Sequence, residues 1–347
     1  MFIRRVTYIL NVKNKNKRMK TIMSSVPKST TMNIIMLFFI TTLMVLMMAS
    51  CSKGSGPLPE PPTPTSDTIV TLVSQKTFSV GTSPLAYACD SDGNVWITHP
   101  RGITKITPSG VMTNYAGLGQ FPLSITYDGD NMLVAEADEN VVIKITPSGV
   151  MTTYCQTGRG PVGIAFDKGN VWTVNEGDNS VTKITPSGMI TTYQVGKYPV
   201  GITCDGQNIW TVNEGDNSVT KITPSGMITT YQVGNGPVGI TCDGQNIWTI
   251  NCVDGSVTKI TPSGMITTYQ VGNGPVGITC DGRALFVLNG DGIINVLSQS
   301  GKTLLLIPAV SNISLTGIAV SKNGLQSTIW TGQRYGELYE LIVKYSK

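Results

Sequence analysis

The chain has 347 residues, with 25 Lys or Arg, 21 Asp or Glu, one histidine and seven cysteines. One histidine excludes a three-histidine metal centre, and 40% hydrophobic residues beside 38 glycines and 19 prolines exclude a collagen-like or disordered chain. The formal net charge of +4 points towards nucleic acid or an anionic surface, but the charges are unevenly placed.

Residues 1–50 hold eight basic side chains (Arg4, Arg5, Lys13, Lys15, Lys17, Arg18, Lys20 and Lys28) and no acid. An apolar run from Ile34 to Ala49 follows, shorter than the roughly 20 residues of a bilayer span. A basic stretch, a short apolar stretch and then small residues form the pattern of an export signal. The run ends Met48-Ala49-Ser50-Cys51, which resembles a bacterial lipobox. The resemblance implies a lipoprotein signal peptide over 1–50 and lipid attachment at Cys51. A plain signal peptide or an N-terminal anchor helix are the alternatives. Removing the eight leader residues from the 25 basic ones leaves 17 against 21 acids, a net of −4. Nucleic acid is then no longer an expected partner. Residues 51–67, rich in Pro, Ser and Gly, read as a semi-extended tether. The expected location is exported and lipid-anchored to the bacterial membrane, periplasmic or surface-facing. Ser52 after the Cys favours the outer membrane where the cell has one.

Residues 68–347 are periodic. The string KITPSG starts at Lys105, Lys144, Lys183, Lys221 and Lys259, and Trp172–Gly196 recurs unchanged as Trp210–Gly234. A period near 40 signals stacked supersecondary units. Each unit holds four short runs rich in Val, Ile, Thr, Tyr and Trp, punctuated by Gly, Pro, Asp and Asn at turn positions. Four strands per forty residues is a propeller blade. Trp96, Trp172, Trp210, Trp248 and Trp330 share one position of the unit, and Leu133 and Phe286 fill it in the other two copies. The expectation is an all-β, seven-bladed β-propeller, with this position packing blade on blade. The last copy stops after its third strand, while Lys76–Val80 reads as an isolated fourth strand. The N-terminal strand should therefore close the ring and remove an exposed edge. Cys89, Cys204, Cys242 and Cys280 share a position that aromatic residues fill in other copies, as small buried hydrophobes do. The D-G turns, such as Asp90-Ser91-Asp92-Gly93, read as tight hairpins, with cation binding as the alternative.

Three residues beyond the Trp position, at the loop from second to third strand, stand His99, Glu136, Asn175, Asn213, Asn251, Asn289 and Gln333. All are polar, which suits a wet channel mouth or a polar ligand. The asparagines equally suit turns that they tie down. His99 and Glu136 depart from the repeat consensus and form a candidate acid–base or metal pair, with Asp138 and Glu139 adding acidity.

The pattern P-x-G-I, D-G, W, N-x-V-x-K-I-T-P-S-G resembles the virginiamycin B lyase (streptogramin B lyase) family over nearly all of residues 77–347. The resemblance implies a seven-bladed propeller and Mg²⁺-assisted elimination that opens a cyclic depsipeptide. It also implies a His and a Glu at the position after the Trp in adjacent blades, where His99 and Glu136 stand. Asp138 occupies the place of the family's second His, the general base, and its ordinary pKa of about 3.9 suits that task poorly. The pair also falls in the first two blades, whereas the family's falls late in the chain. The expected function is a monomeric cell-envelope binding or scaffold propeller, taking a small molecule, glycan or protein at a channel rim formed by Asn175, Asn213, Asn251, Asn289 and Gln333. The alternatives are a Mg²⁺-assisted C–O lyase acting on a cyclic ester, with His99, Glu136 and Asp138 catalytic and the two carboxylates on the metal, and a metal-dependent lactonase or esterase.

Overall fold

A computed structural model describes residues 69–80, 83–308, 315–333 and 337–346. The expected leader, Cys51 and the tether lie outside the described residues. The described residues form seven four-stranded antiparallel sheets, six of them simple meanders and the seventh completed by the N-terminal strand. Blade 3 serves as the type: β10 (Pro161–Asp167), β11 (Asn170–Asn175), β12 (Ser180–Ile184) and β13 (Ile190–Gln194) run from the axis outward. Among the described residues there are, besides strands, two single 3-10 turns, Glu176–Asp178 and Glu214–Asp216. Among the described residues no helix is long and apolar enough to cross a membrane.

The turns follow from their side chains. In T-P-S-G the threonine hydroxyl accepts the amide of the residue just past the glycine: Thr185 Oγ1 takes Met189 N at 3.1 Å and pairs with Ser187 Oγ at 2.8 Å. Gly188 closes this turn at φ +79°, a left-handed conformation that only glycine adopts without cost. At the other hairpin of the same end, Asp243 Oδ1 accepts the amides of Gln245 and Asn246, while Oδ2 accepts Trp248 Nε1 at 2.7 Å. Burial pushes the Asp243 carboxyl up, but these hydrogen bonds outweigh it and hold it below its ordinary range. The D-G turns are thus hairpins whose aspartates also anchor the tryptophans, a pairing repeated at Asp90–Trp96 and Asp205–Trp210.

The shared Trp position packs blade on blade as expected. Trp210 lies with Val212 and Val219 of its own blade and Ile247 and Ile260 of the next. On its outer side it meets Tyr231, with ring centroids 5.5 Å apart, and Lys221 Nζ sits 5.2 Å from its centroid. In blades 1, 4 and 5 the core is thus a tryptophan held at its nitrogen and flanked by a tyrosine and a lysine stem. Cys89, Cys155, Cys204, Cys242 and Cys280 are free, half-buried thiols. At the axis, inner strands lock by size. A Cβ on Gly201, Gly239 or Gly277 would lie 3.4, 3.4 or 3.0 Å from Cγ2 of Ile240, Ile278 or Ile318 in the next blade. In blades 2 to 6 the ladder also shifts register just after the leading proline, so a bulged residue precedes each of these positions.

Blade 7 consists of β26 (Leu315–Asn323), β27 (Gln326–Gln333), β28 (Glu337–Ser346) and, outermost, β1 (Ile69–Ser79). The register runs from Ile69 opposite Ser346 to Ser79 opposite Glu337. Phe78 packs 5.9 Å from Trp330, and Lys76 pairs with Glu340 at 3.2 Å. The ring is closed by its N-terminal strand, which begins seven residues earlier than Lys76, the start read from the sequence.

Candidate functional site

The loops between second and third strands and those between blades lie at one end of the propeller, here termed the loop face. Each residue of the polar position is the last of its second strand: His99 ends β3 (Val95–His99), Glu136 ends β7 (Met132–Glu136) and Asn175 ends β11. Gln333 ends β27, and its side chain lies outside the described residues.

The asparagines turn into their own blades. Asn175 Nδ2 donates to Ser180 Oγ at 3.0 Å and Thr182 Oγ1 at 2.9 Å. Asn213 and Asn251 repeat the pair on Ser218 and Thr220, and on Ser256 and Thr258. Asn289 donates instead to Val271 O and Asn295 Oδ1. All four are buried. The backbone of a blade-joining glycine covers each: a Cβ on Gly196 would meet Asn213 at 2.7 Å. The cavity on the axis is about 220 Å³ and is lined by Gly, Val and Ile of the inner strands, with Ser124, rather than by the asparagines.

His99 follows the same habit. Its Nε2 lies 3.2 Å from Thr104 Oγ1 on the next strand, the counterpart of Asn175 on Thr182, and its Nδ1 lies 3.5 Å from Pro100 O. Burial lowers its pKa, which keeps the ring neutral, against a smaller upward pull from the Pro100 carbonyl.

Glu136 is fully buried. Its Oε1 accepts Gly119 N at 3.1 Å, and Asp138 Oδ2 accepts the next amide, Gln120 N, at 3.2 Å. The remaining oxygens, Glu136 Oε2 and Asp138 Oδ1, are buried without a donor. Both sit beneath Gly119, whose Cβ would come within 2.6 and 2.8 Å of them. Burial, then the charge of Asp138, pushes the Glu136 carboxyl up to about 8. A hydrogen bond between the two carboxyls raises Glu136 further. His99 bonds to Thr104 and lies near the Pro100 carbonyl, while Glu136 bonds to Gly119 and Asp138, so the candidate pair is held by separate partners.

The amide that Asp138 holds has counterparts gripped by aspartates in the middle blades. Arg159 N donates to Asp178 Oδ2 at 2.9 Å, and Lys197 N to Asp216 Oδ2 at 2.7 Å. The amide after each goes back to the preceding blade, Gly160 N to Asn140 Oδ1 and Tyr198 N to Asn179 Oδ1. These asparagines stand at φ 58° and 54°, a conformation Asn tolerates. Every such joint is a stitch between two blades, and Asp138 supplies the carboxylate of the joint between blades 1 and 2.

What faces outward is different, and sequence reasoning passed over it. Glu176 and Glu214, in the 3-10 turns of adjacent blades, are half-buried, and burial raises both carboxyls; the charge of Glu176 raises Glu214 further. Tyr198 is 58% exposed with φ +49°, where neighbouring blades carry Gly160 and Gly236. The signal was present in the sequence: K-Y-P replaces N-G-P between otherwise identical units.

The resemblance implies Mg²⁺, and the donors were weighed for it. Mg²⁺ takes near-octahedral oxygen ligands and retains several waters. Glu136 and Asp138 present two oxygens in a narrow space roofed by Gly119, and no group of three His, Cys, Asp or Glu able to hold a metal occurs among the described residues. The residues present do not fit that ion.

Sheet topology and joints define a closed seven-bladed propeller with a loop face stitched by side chains. The sequence profile of the virginiamycin B lyase family matches residues 70–233, and over these residues the chain is similar to that family. The selenomethionine-substituted virginiamycin B lyase from Staphylococcus aureus superposes with a TM-score of 0.68 at 24% identity, covering 77% of this chain and 98% of that one. A catalytically inactive variant of the staphylococcal enzyme, solved with quinupristin, gives the same values. A streptogramin B lyase structure superposes with a TM-score of 0.69 at 21% identity, covering 79% and 98%. At these identities the likeness establishes the fold. No curated protein matches the chain.

Proposed function

We propose that the protein is a binding propeller of the cell envelope, carried on a lipid anchor at Cys51, and that it is not a working lyase. One observation carries this reading. The side chains at the position where the related enzymes are expected to keep their chemistry are hydrogen-bonded into the framework: His99 onto Thr104, Glu136 and Asp138 onto the amides of Gly119 and Gln120, the asparagines onto their own hairpins. A general base needs an open path to the proton it takes, and Glu136 is closed off by backbone. The groups free to meet a ligand are Glu176, Glu214 and Tyr198, which suit a small molecule, a glycan or a protein segment docking on the loop face.

The family match favours the rival reading, a Mg²⁺-assisted lyase. The full chain incubated with Mg²⁺ and quinupristin, followed by mass spectrometry, separates the two. The binding reading expects the cyclic compound to survive at enzyme-stoichiometric concentration. Accumulation of a ring-opened product of unchanged mass would overturn it, and a product one water heavier would point to an esterase.

A further inference from the structure

The opposite end of the propeller, formed by the hairpins between first and second and between third and fourth strands, carries an unusual surface. Each KITPSG turn is followed by two apolar residues that open the outer strand. In blades 3 to 5 these are Met189 and Ile190, Met227 and Ile228, and Met265 and Ile266. The three methionines are 62%, 63% and 62% exposed. Val111 with Met112 in blade 1, and Val150 in blade 2, continue the series. Blade 7 adds Ile69 and, in its first hairpin, Leu325, both exposed. Only blade 6 breaks it, with Lys302 and Thr303 at the same place. On the loop face the exposed large apolar residues are Tyr198 and Val253 alone, among the described residues.

Three features narrow what this apolar rim meets. The turns that carry it in blades 1 to 5 are Thr-Pro-Ser-Gly, without a charge. The aspartates nearer the axis on this end, such as Asp90, Asp205 and Asp243, fold back onto their own amides and tryptophans. A protein partner is held by a compact central cluster of anchors with a polar rim, whereas here the apolar residues form the rim and the polar ones the centre. Short apolar tips spread around a circle, several of them flexible methionines, instead match shallow seating at a bilayer's headgroup boundary. The chain also enters the propeller here. β1 is an outer strand, and its first residue, Ile69, lies at this end opposite Ser346.

We propose that this hairpin face contacts the membrane: the apolar pairs of blades 1 to 5 seat in the headgroup–acyl boundary, and the loop face points away from it. The proposal rests on the reading of the chain as lipid-anchored through Cys51. The residues from Ser52 to Thr68 span up to about 55 Å when extended, so the anchor alone does not choose a face. It raises the local concentration of lipid, and contacts individually too weak for binding then decide the orientation.

The test uses the full, acylated chain on phosphatidylethanolamine–phosphatidylglycerol vesicles, with and without brominated acyl chains that quench nearby indoles. The native tryptophans are buried and supply a constant background. The proposal expects the emission added by Met227→Trp to fall at least twofold on brominated vesicles, and that added by Tyr198→Trp to stay unchanged. Chains that float with the vesicles but show no quenching of the Met227→Trp signal overturn it and leave the anchor intact. Equal quenching of both variants, meaning a propeller on its side, overturns it as well. Failure to float refutes the anchor, and the proposal with it.

Discussion

Glu136 and Asp138 face each other beneath Gly119, each giving one oxygen to a loop amide and leaving the other without a donor. This pair makes the joint between blades 1 and 2 pH-dependent. Burial and Asp138 raise Glu136 from 4.5 to about 8. A raised folded-state pKa means that the native protein binds the proton more tightly than the unfolded chain. Stability is therefore greatest below pH 4.5 as far as this group is concerned, and falls as pH rises to about 8, by roughly 2–5 kcal/mol in all. Thermal melts between pH 5 and 8.5 should show the wild type losing stability and Glu136→Gln changing much less. Parallel slopes for the two proteins would show that Glu136 does not hold its proton more tightly in the folded state.

A second prediction concerns closure. A chain beginning at Ser83 lacks β1 and leaves β28 as an open edge, with Trp330 uncovered and Glu340 without Lys76. We expect it to melt well below the full chain or to aggregate, since an unpaired edge is a template for association. Equal melting temperatures would mean that β1 is an ornament.

The aspartate–tryptophan bond is testable by contrast between blades. Asp243→Asn keeps one acceptor for the turn amides but places an NH₂ against Trp248 Nε1 or loses an amide. The expected cost is about 1–3 kcal/mol, read by chemical denaturation. In blade 3, Trp172 Nε1 has no hydrogen-bond partner, so Asp167→Asn should cost less. Similar losses at both sites would show that the indole bond contributes little.

Tyr198 holds a left-handed conformation that its neighbours give to glycine. Replacing it by Gly should raise stability by about 0.5–1 kcal/mol by relieving backbone strain. A clear drop in stability would instead make the Tyr198 ring, which lies over Gly215, a packing element rather than a ligand-facing one.

Much of this architecture was legible from spacing. The KITPSG period, the tryptophan position and the orphan strand at Lys76–Val80 led to seven blades and to the closing pair, because strand alternation and turn chemistry are local. The polar position was found in the right place but its orientation was not. Whether Asn175 faces a channel or its own Thr182 depends on the roof that Gly158 forms over it, and that roof comes from the preceding blade. Asp138 looked like a substitute base because it stands where the related family has a histidine. Only the fold brings Gln120 N onto it and makes it the counterpart of Asp178 and Asp216. Glu176 and Glu214 went unnoticed for the opposite reason, since identity between repeats read as copying rather than as two carboxyls placed side by side.

The pairing of Ile69 with Ser346 also sets a timetable. Among the described residues the first strand made waits for the last, with nearly the whole ring in between. Long-range partners of this kind form late, after the local hairpins. Until the final residues arrive, the blades are hairpins stacked in an open arc, and β1 remains unpaired beside the segment that precedes it. The lock on the fold is thus withheld until the last strand of blade 7 has been made.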